Sequence, residues 1–69
     1  MKKKEYRIEL FEEMFGCWRF EVWDGDVCIF SPGIGMPNNK MGVRSSGISF
    51  AERQKDYGSH VVNEHYQLV

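Results

Sequence analysis

Residues 17–30 read CWRFEVWDGDVCIF, and the fold turns on how they pair. Trp18, Phe20 and Val22 alternate with Arg19 and Glu21, the period of two of a strand with one buried face. Asp24-Gly25 follows as a turn signal, because a type I′ turn requires positive φ at both central positions. Val27 to Phe30 then returns as the next strand. A two-residue Asp24-Gly25 turn pairs Trp23 with Asp26, Val22 with Val27 and Phe20 with Ile29, leaving Cys28 and Phe30 opposite Glu21 and Arg19. A three-residue turn reverses the faces and sets Cys28 and Phe30 beside Val22 and Phe20. The turn chemistry favours the first register. In both, the returning strand carries large apolar groups on both faces, so a loop, a helix or another subunit must cover the second face.

Upstream, Tyr6, Ile8 and Leu10 alternate with Arg7 and Glu9, predicting an earlier strand over Glu5–Phe11. Glu12 to Gly16 reads as the turn that joins it to Cys17, with Gly16 free to take positive φ. Two consecutive hairpins result. Downstream, Ser31 to Gly47 holds Pro32, Gly33, Gly35, Pro37, Asn38, Asn39, Gly42 and Gly47, the composition of a long loop. A stretch near Met41–Ser45 could add a short strand. Ser49-Phe50-Ala51-Glu52 matches a capping box, predicting a two-turn helix over Phe50–Tyr57 with Gly58 as its C-terminal cap. Ile48 would precede the cap, and Phe50, Arg53 and Tyr57 would share one side, which lies against the sheet. His60 to Val69, with Val62, Tyr66 and Leu68 alternating, reads as a final strand. The expected fold is α+β, a small antiparallel sheet of three to five strands with one short helix on a face, in the order β-β-β-loop-α-β.

The chain has 69 residues, room for one small domain. Apolar residues make up 42% and charged residues 28%, which excludes the disordered class, while aromatics reach 14%. So short a chain buries only about 60% of its unfolded surface. Five Phe, three Tyr and two Trp must therefore build much of the core. Spread over both faces of a sheet, they exceed what one helix can cover, and the surplus points to a contact surface and a homo-oligomer. The net charge of −1 removes the electrostatic footprint of a general nucleic-acid binder. Its distribution is uneven: +3 over residues 1–8, −5 over 9–26, +2 over 27–47 and −1 over 48–69. An acidic first hairpin thus faces a mildly basic middle loop, the pattern of a solvated surface or of one that steers a partner. No apolar run is long enough to span a membrane, and Met1-Lys2-Lys3-Lys4 leads into no signal-like segment, so a cytoplasmic chain is expected, with no membrane partner.

Cys17, Cys28, His60 and His65 invite a zinc reading, but ten residues separate the cysteines where a zinc finger has two to four. On one strand His60 and His65 would also point to opposite faces. Two reduced, partly buried thiols and surface imidazoles are preferred, with no metal and no cofactor. A cysteine nucleophile needs an electropositive site, whereas Cys17 and Cys28 border acidic residues. Glu12, Glu13, Asp24 and Asp26 sit in turns, where solvated charge is their ordinary state, and the glycines make no phosphate-binding motif. No catalytic residue is assigned.

Two binding sets remain. Asn39, Lys40, Arg44, Ser45, Ser46 and Arg53 put cations and hydroxyls on glycine-rich backbone before a helix, a place for a nucleotide or other phosphate. Trp23, Cys28, Phe30, Met36 and Met41 are the candidate protein interface. Trp23 borders the turn, and its exposure would mark it as an anchor. The expected function is a non-enzymatic, homo-oligomeric module that binds another protein. Size and character suit a small phage or mobile-element accessory protein, such as an inhibitor of host defence. The alternatives are a nucleotide- or oligonucleotide-sequestering protein using the 38–46 loop, and a small metal- or thiol-dependent enzyme.

Overall fold

The structure is a computed structural model, described here for residues 3–14, 16–32 and 39–66. Four strands and one helix follow in the order β1 (Lys4–Met14), β2 (Cys17–Asp24), β3 (Val27–Phe30), α1 (Lys40–Glu52) and β4 (Tyr57–His65). They form one sheet in the order β3-β2-β1-β4 with α1 on one face, a small α+β domain. The alternation read from the sequence is what positions the core. Tyr6, Ile8 and Leu10 of β1 and Trp18, Phe20 and Val22 of β2 are all buried beneath α1.

The β1–β2 hairpin aligns Ile8 with Val22 and Leu10 with Phe20, and a bulge lies between Glu12 and Met14. Gly16 takes φ +79° in the turn, as expected. β1 itself runs three residues beyond the expected Phe11, so Glu12 and Glu13 are strand residues.

The second hairpin adopts neither predicted register. Asp24 pairs with Val27 and Trp23 with Cys28, which makes Gly25-Asp26 the two-residue turn. Only Gly25 has positive φ, at +61°, the pattern of a type II′ turn with glycine first. A shift between Val22 and Trp23 then aligns Val22 with Phe30. That irregularity lets both Ile29 and Phe30 address the helix side: Ile29 packs on the core and Phe30 meets Phe20 at 5.6 Å between ring centroids. Val27 and Cys28 are exposed, so Cys28 is not the partly buried thiol expected of it, whereas Cys17 is half-buried.

The largest departure is the helix. It begins at Lys40, ten residues before the predicted start, and ends at Glu52 within the expected capping box. Asn39 is the N-cap, its side chain accepting from the Gly42 N–H at 2.7 Å. Val43, Gly47 and Ala51 repeat every four residues and are the buried stripe. Residues 40–46 are therefore helical rather than loop or strand. Met36 and residues 33–38 lie outside the described residues, as do Leu68 and the end of the predicted last strand.

A 13-residue helix is about 20 Å long and carries the chain the length of the sheet. β4 accordingly starts back at the end where β3 began and runs parallel to β1. The sheet is mixed, rather than antiparallel throughout. Gly58 is not a helix cap but an extra residue in β4: Lys4 aligns with Tyr57 and Glu5 with Ser59. A Cβ at Gly58 would fall 2.8 Å from Lys3 Cβ and 3.1 Å from the Lys4 carbonyl oxygen, so the bulge requires glycine. Among the described residues no helix is long and apolar enough to cross a membrane.

Candidate functional site

The crossover leaves β3 at the margin of the sheet, beside rather than beneath α1. A groove of about 400 Å³ opens there, lined by Phe20, Phe30, Ser45, Ser46, Ser49, Phe50 and Arg53. Phe30 and Phe50 stack across its wall at 4.4 Å between centroids and 19° between ring planes. The three serines face it from α1. Phe50 and Arg53 also border a second hollow of about 600 Å³, where Ile29, Tyr6 and Asp56 contribute. The two hollows make a trough along the helix side of β3, with aromatic walls and a guanidinium at the junction. Arg53 closes the helix as its C-cap and forms no ion pair among the described residues.

The helix-free face of the sheet has a different character. Glu9 of β1 stands directly opposite Glu21 of β2, a like-charge pair that costs stability unless each carboxylate is compensated. Glu9 is the buried one, 9% exposed. It accepts from Asn63 Nδ2 at 2.8 Å and His65 Nε2 at 2.5 Å and pairs with Arg7 Nε at 2.8 Å. Glu21 accepts from Arg19 Nη1 at 2.8 Å and Trp23 Nε1 at 2.9 Å. Arg19 also reaches Glu13 at 2.7 Å. Burial pushes both carboxyls upward, but hydrogen bonds and cations outweigh it, leaving Glu9 and Glu21 below the usual glutamate range. Both are ionised at neutral pH, so neither is a proton donor there. Arg7 lies over Trp23 at 5.2 Å, Arg19 over Phe11 at 4.3 Å, and Phe11 stacks on His65 at 4.7 Å. This face satisfies itself.

The candidate phosphate set divides. Ser45, Ser46 and Arg53 meet in the groove. Asn39 is committed to capping. Lys40 donates to Glu64 Oε1 at 3.2 Å and Tyr66 Oη at 2.9 Å, and these bonds raise its pKa. Arg44 is exposed on α1. The interface set divides as well. Phe30 is in the groove, Cys28 is exposed on β3, and Met41 is 77% exposed near the start of α1. Trp23 lies on the helix-free face, half-buried and bonded through its indole N–H, rather than standing out as an anchor.

His60 and His65 do point to opposite sides, His60 accepting or donating at Tyr57 Oη and His65 at Glu9. Among the described residues no three His, Cys, Asp or Glu side chains gather as a metal site. Sequence reasoning missed Phe50 as a groove wall, because it assigned that ring to the first turn of a helix that here is ending. It also missed Glu9, although Arg7-x-Glu9 opposite Arg19-x-Glu21 is a readable cross-strand charge pattern. No protein-family model, curated protein or solved structure matches the chain.

Proposed function

We propose that the chain is a non-enzymatic binding module that acts on another protein, and that the trough between α1 and β3 is its binding surface. The observation that carries this reading is the Phe30–Phe50 stack at the sheet margin, with Arg53 beside it. An apolar or aromatic side chain of the partner enters among Phe20, Phe30 and Phe50, and a neighbouring carboxylate meets the Arg53 guanidinium. The serine hydroxyls serve the partner's backbone. The outer edge of β3 adjoins the trough and has no paired strand among the described residues, so an extended partner segment can add main-chain hydrogen bonds there. Such a module works by occupancy: the segment it holds is withheld from other contacts, the mode of action of a small accessory inhibitor.

Selection from a displayed peptide library tests the reading. The expected enrichment is for extended peptides with an aromatic or large aliphatic residue next to Asp or Glu, lost in both Phe30→Asp and Arg53→Glu. No enrichment, or enrichment indifferent to both substitutions, overturns it. A thermal shift with nucleotides that vanishes in Arg53→Ala would move the assignment to nucleotide sequestration through the same groove.

A further inference from the structure

We propose that the outer edge of β4 is a self-association surface, at which a second copy of this chain adds its own β4 antiparallel about a two-fold axis through Val62. The edge belongs to the opposite margin of the sheet from the trough. Among the described residues nothing pairs with it, and β4 at nine residues is more than twice the length of β3. Long open edges are ordinarily blunted by lysine, proline or a bulge. Residues 59–65 contain none of these, since the extra residue lies at Gly58. That glycine marks where regular pairing ends.

The register follows from which side each residue takes. Tyr6, Ile8 and Leu10 align with His60, Val62 and Glu64, placing these three on the helix side of the sheet. Arg7, Glu9 and Phe11 align with Val61, Asn63 and His65, on the helix-free side. A two-fold perpendicular to the sheet keeps like sides together and must pass through a residue pair. Centring it on Val62 engages all of residues 59–65. Val62 then meets its own copy, Val61 meets Asn63, Ser59 meets His65, and His60 meets Glu64 twice. Centring on Val61 would instead bring Glu64 against the Gly58 bulge.

The His60–Glu64 contact is prepared in the single chain. Tyr57 Oη lies 2.7 Å from His60 Nδ1, and in the proposed pair the hydroxyl donates to Nδ1 so that Nε2 carries the ring hydrogen. Glu64 receives Lys40 and Tyr66 on Oε1, while Oε2 has no partner among the described residues. One free donor and one free acceptor on the same side of β4 become two symmetric hydrogen bonds in a pair. Val61, 40% exposed at this edge, is covered in the same step. The assembled sheet has eight strands, both helices on one side and both troughs at its far margins.

Sedimentation velocity over a wide concentration range, with amide exchange as a second readout, tests this. The expected result is a reversible dimer whose exchange at residues 59–65 slows as concentration rises. His60→Glu sets like charges opposite each other twice and should weaken the dimer about tenfold. His60→Lys keeps a hydrogen-bond donor opposite Glu64 and should retain the dimer, with circular dichroism confirming that both variants fold. A monomer at all concentrations, protection appearing at β3 instead, or equal behaviour of the two variants overturns the proposal. The peptide selection depends on Phe30 and Arg53, so either proposal can fail alone.

Discussion

Gly47 of α1 lies so close to Ile8 of β1 that a Cβ on the glycine would stand 2.8 Å from Ile8 Cγ2 and 3.2 Å from Phe20 Cδ2. Ile8 is fully buried and cannot yield. Gly47→Ala gains about 1 kcal/mol of helix propensity but incurs about 1–3 kcal/mol of overpacking. The clash wins. Gly47→Ala should lower stability by about 1 kcal/mol and Gly47→Val by more, since only the propensity gain shrinks with the larger side chain. Urea unfolding measures it, with the exposed neighbour Ser46→Ala as the control that should be neutral or slightly stabilising.

The same glycine explains what the sequence concealed. Strand alternation was legible because Tyr6, Ile8, Leu10, Trp18, Phe20 and Val22 are large, and one face of a sheet buries them all. The helix was not, because its buried stripe is Val43, Gly47 and Ala51, two of them small. Gly42, Gly47 and three serines have weak helix propensity and read as loop. Burial against the sheet overrides them, and small residues are what let α1 approach. The trough was half legible for a related reason. Ser45, Ser46, Arg53 and Phe30 were singled out for two separate purposes, and only the early helix start brings them into one place.

Asn39 starts that helix, so removing its side chain should be felt disproportionately. The cap accepts from the Gly42 N–H at 2.7 Å in a helix with no acidic residue in its first turn to share the task. Asn39→Ala should cost about 1 kcal/mol, whereas Asn39→Asp or Asn39→Ser should retain most of the stability. Thermal unfolding of the three variants decides it. Equal losses in all three would place the contribution outside the cap.

The opposed carboxylates Glu9 and Glu21 make stability depend on acid. Each has its pKa lowered in the fold relative to the ordinary value of 4.5. Between that value and the lower native one, the unfolded chain binds more protons than the folded chain. The stability they contribute is complete above the ordinary value and is lost as pH falls through the native values. Urea midpoints should therefore fall below pH 4.5 more steeply in the wild type than in Glu9→Gln/Glu21→Gln. Either single substitution already removes the like-charge opposition, so the loss of the double variant at neutral pH should exceed the sum of the single losses. An unchanged acid slope would mean that other carboxylates dominate.

Tyr6 gives the opposite limb. It is 3% exposed, and its hydroxyl donates to Asp56 Oδ1, while Lys4 Nζ approaches Asp56 Oδ2 at 3.4 Å. That hydrogen bond, then burial and the charge of Asp56, push the Tyr6 pKa from 10.0 up to about 12. A raised pKa means the folded chain holds its proton longer, so this stability is present below pH 10 and is lost as pH rises towards about 12. Ultraviolet titration should show one tyrosine ionising late, at about pH 12, and Tyr6→Phe should abolish that late step. The same substitution should cost about 1.5–3 kcal/mol at neutral pH, the range for a hydrogen bond to a charged acceptor. Asp56 lies in the turn between α1 and β4, and the Lys4 N–H donates to its carbonyl at 2.7 Å. Tyr6 therefore ties the strand that starts the sheet to the turn that launches its last strand, and Tyr6→Phe should also speed amide exchange at Lys4 and Tyr57 ahead of the β1–β2 hairpin.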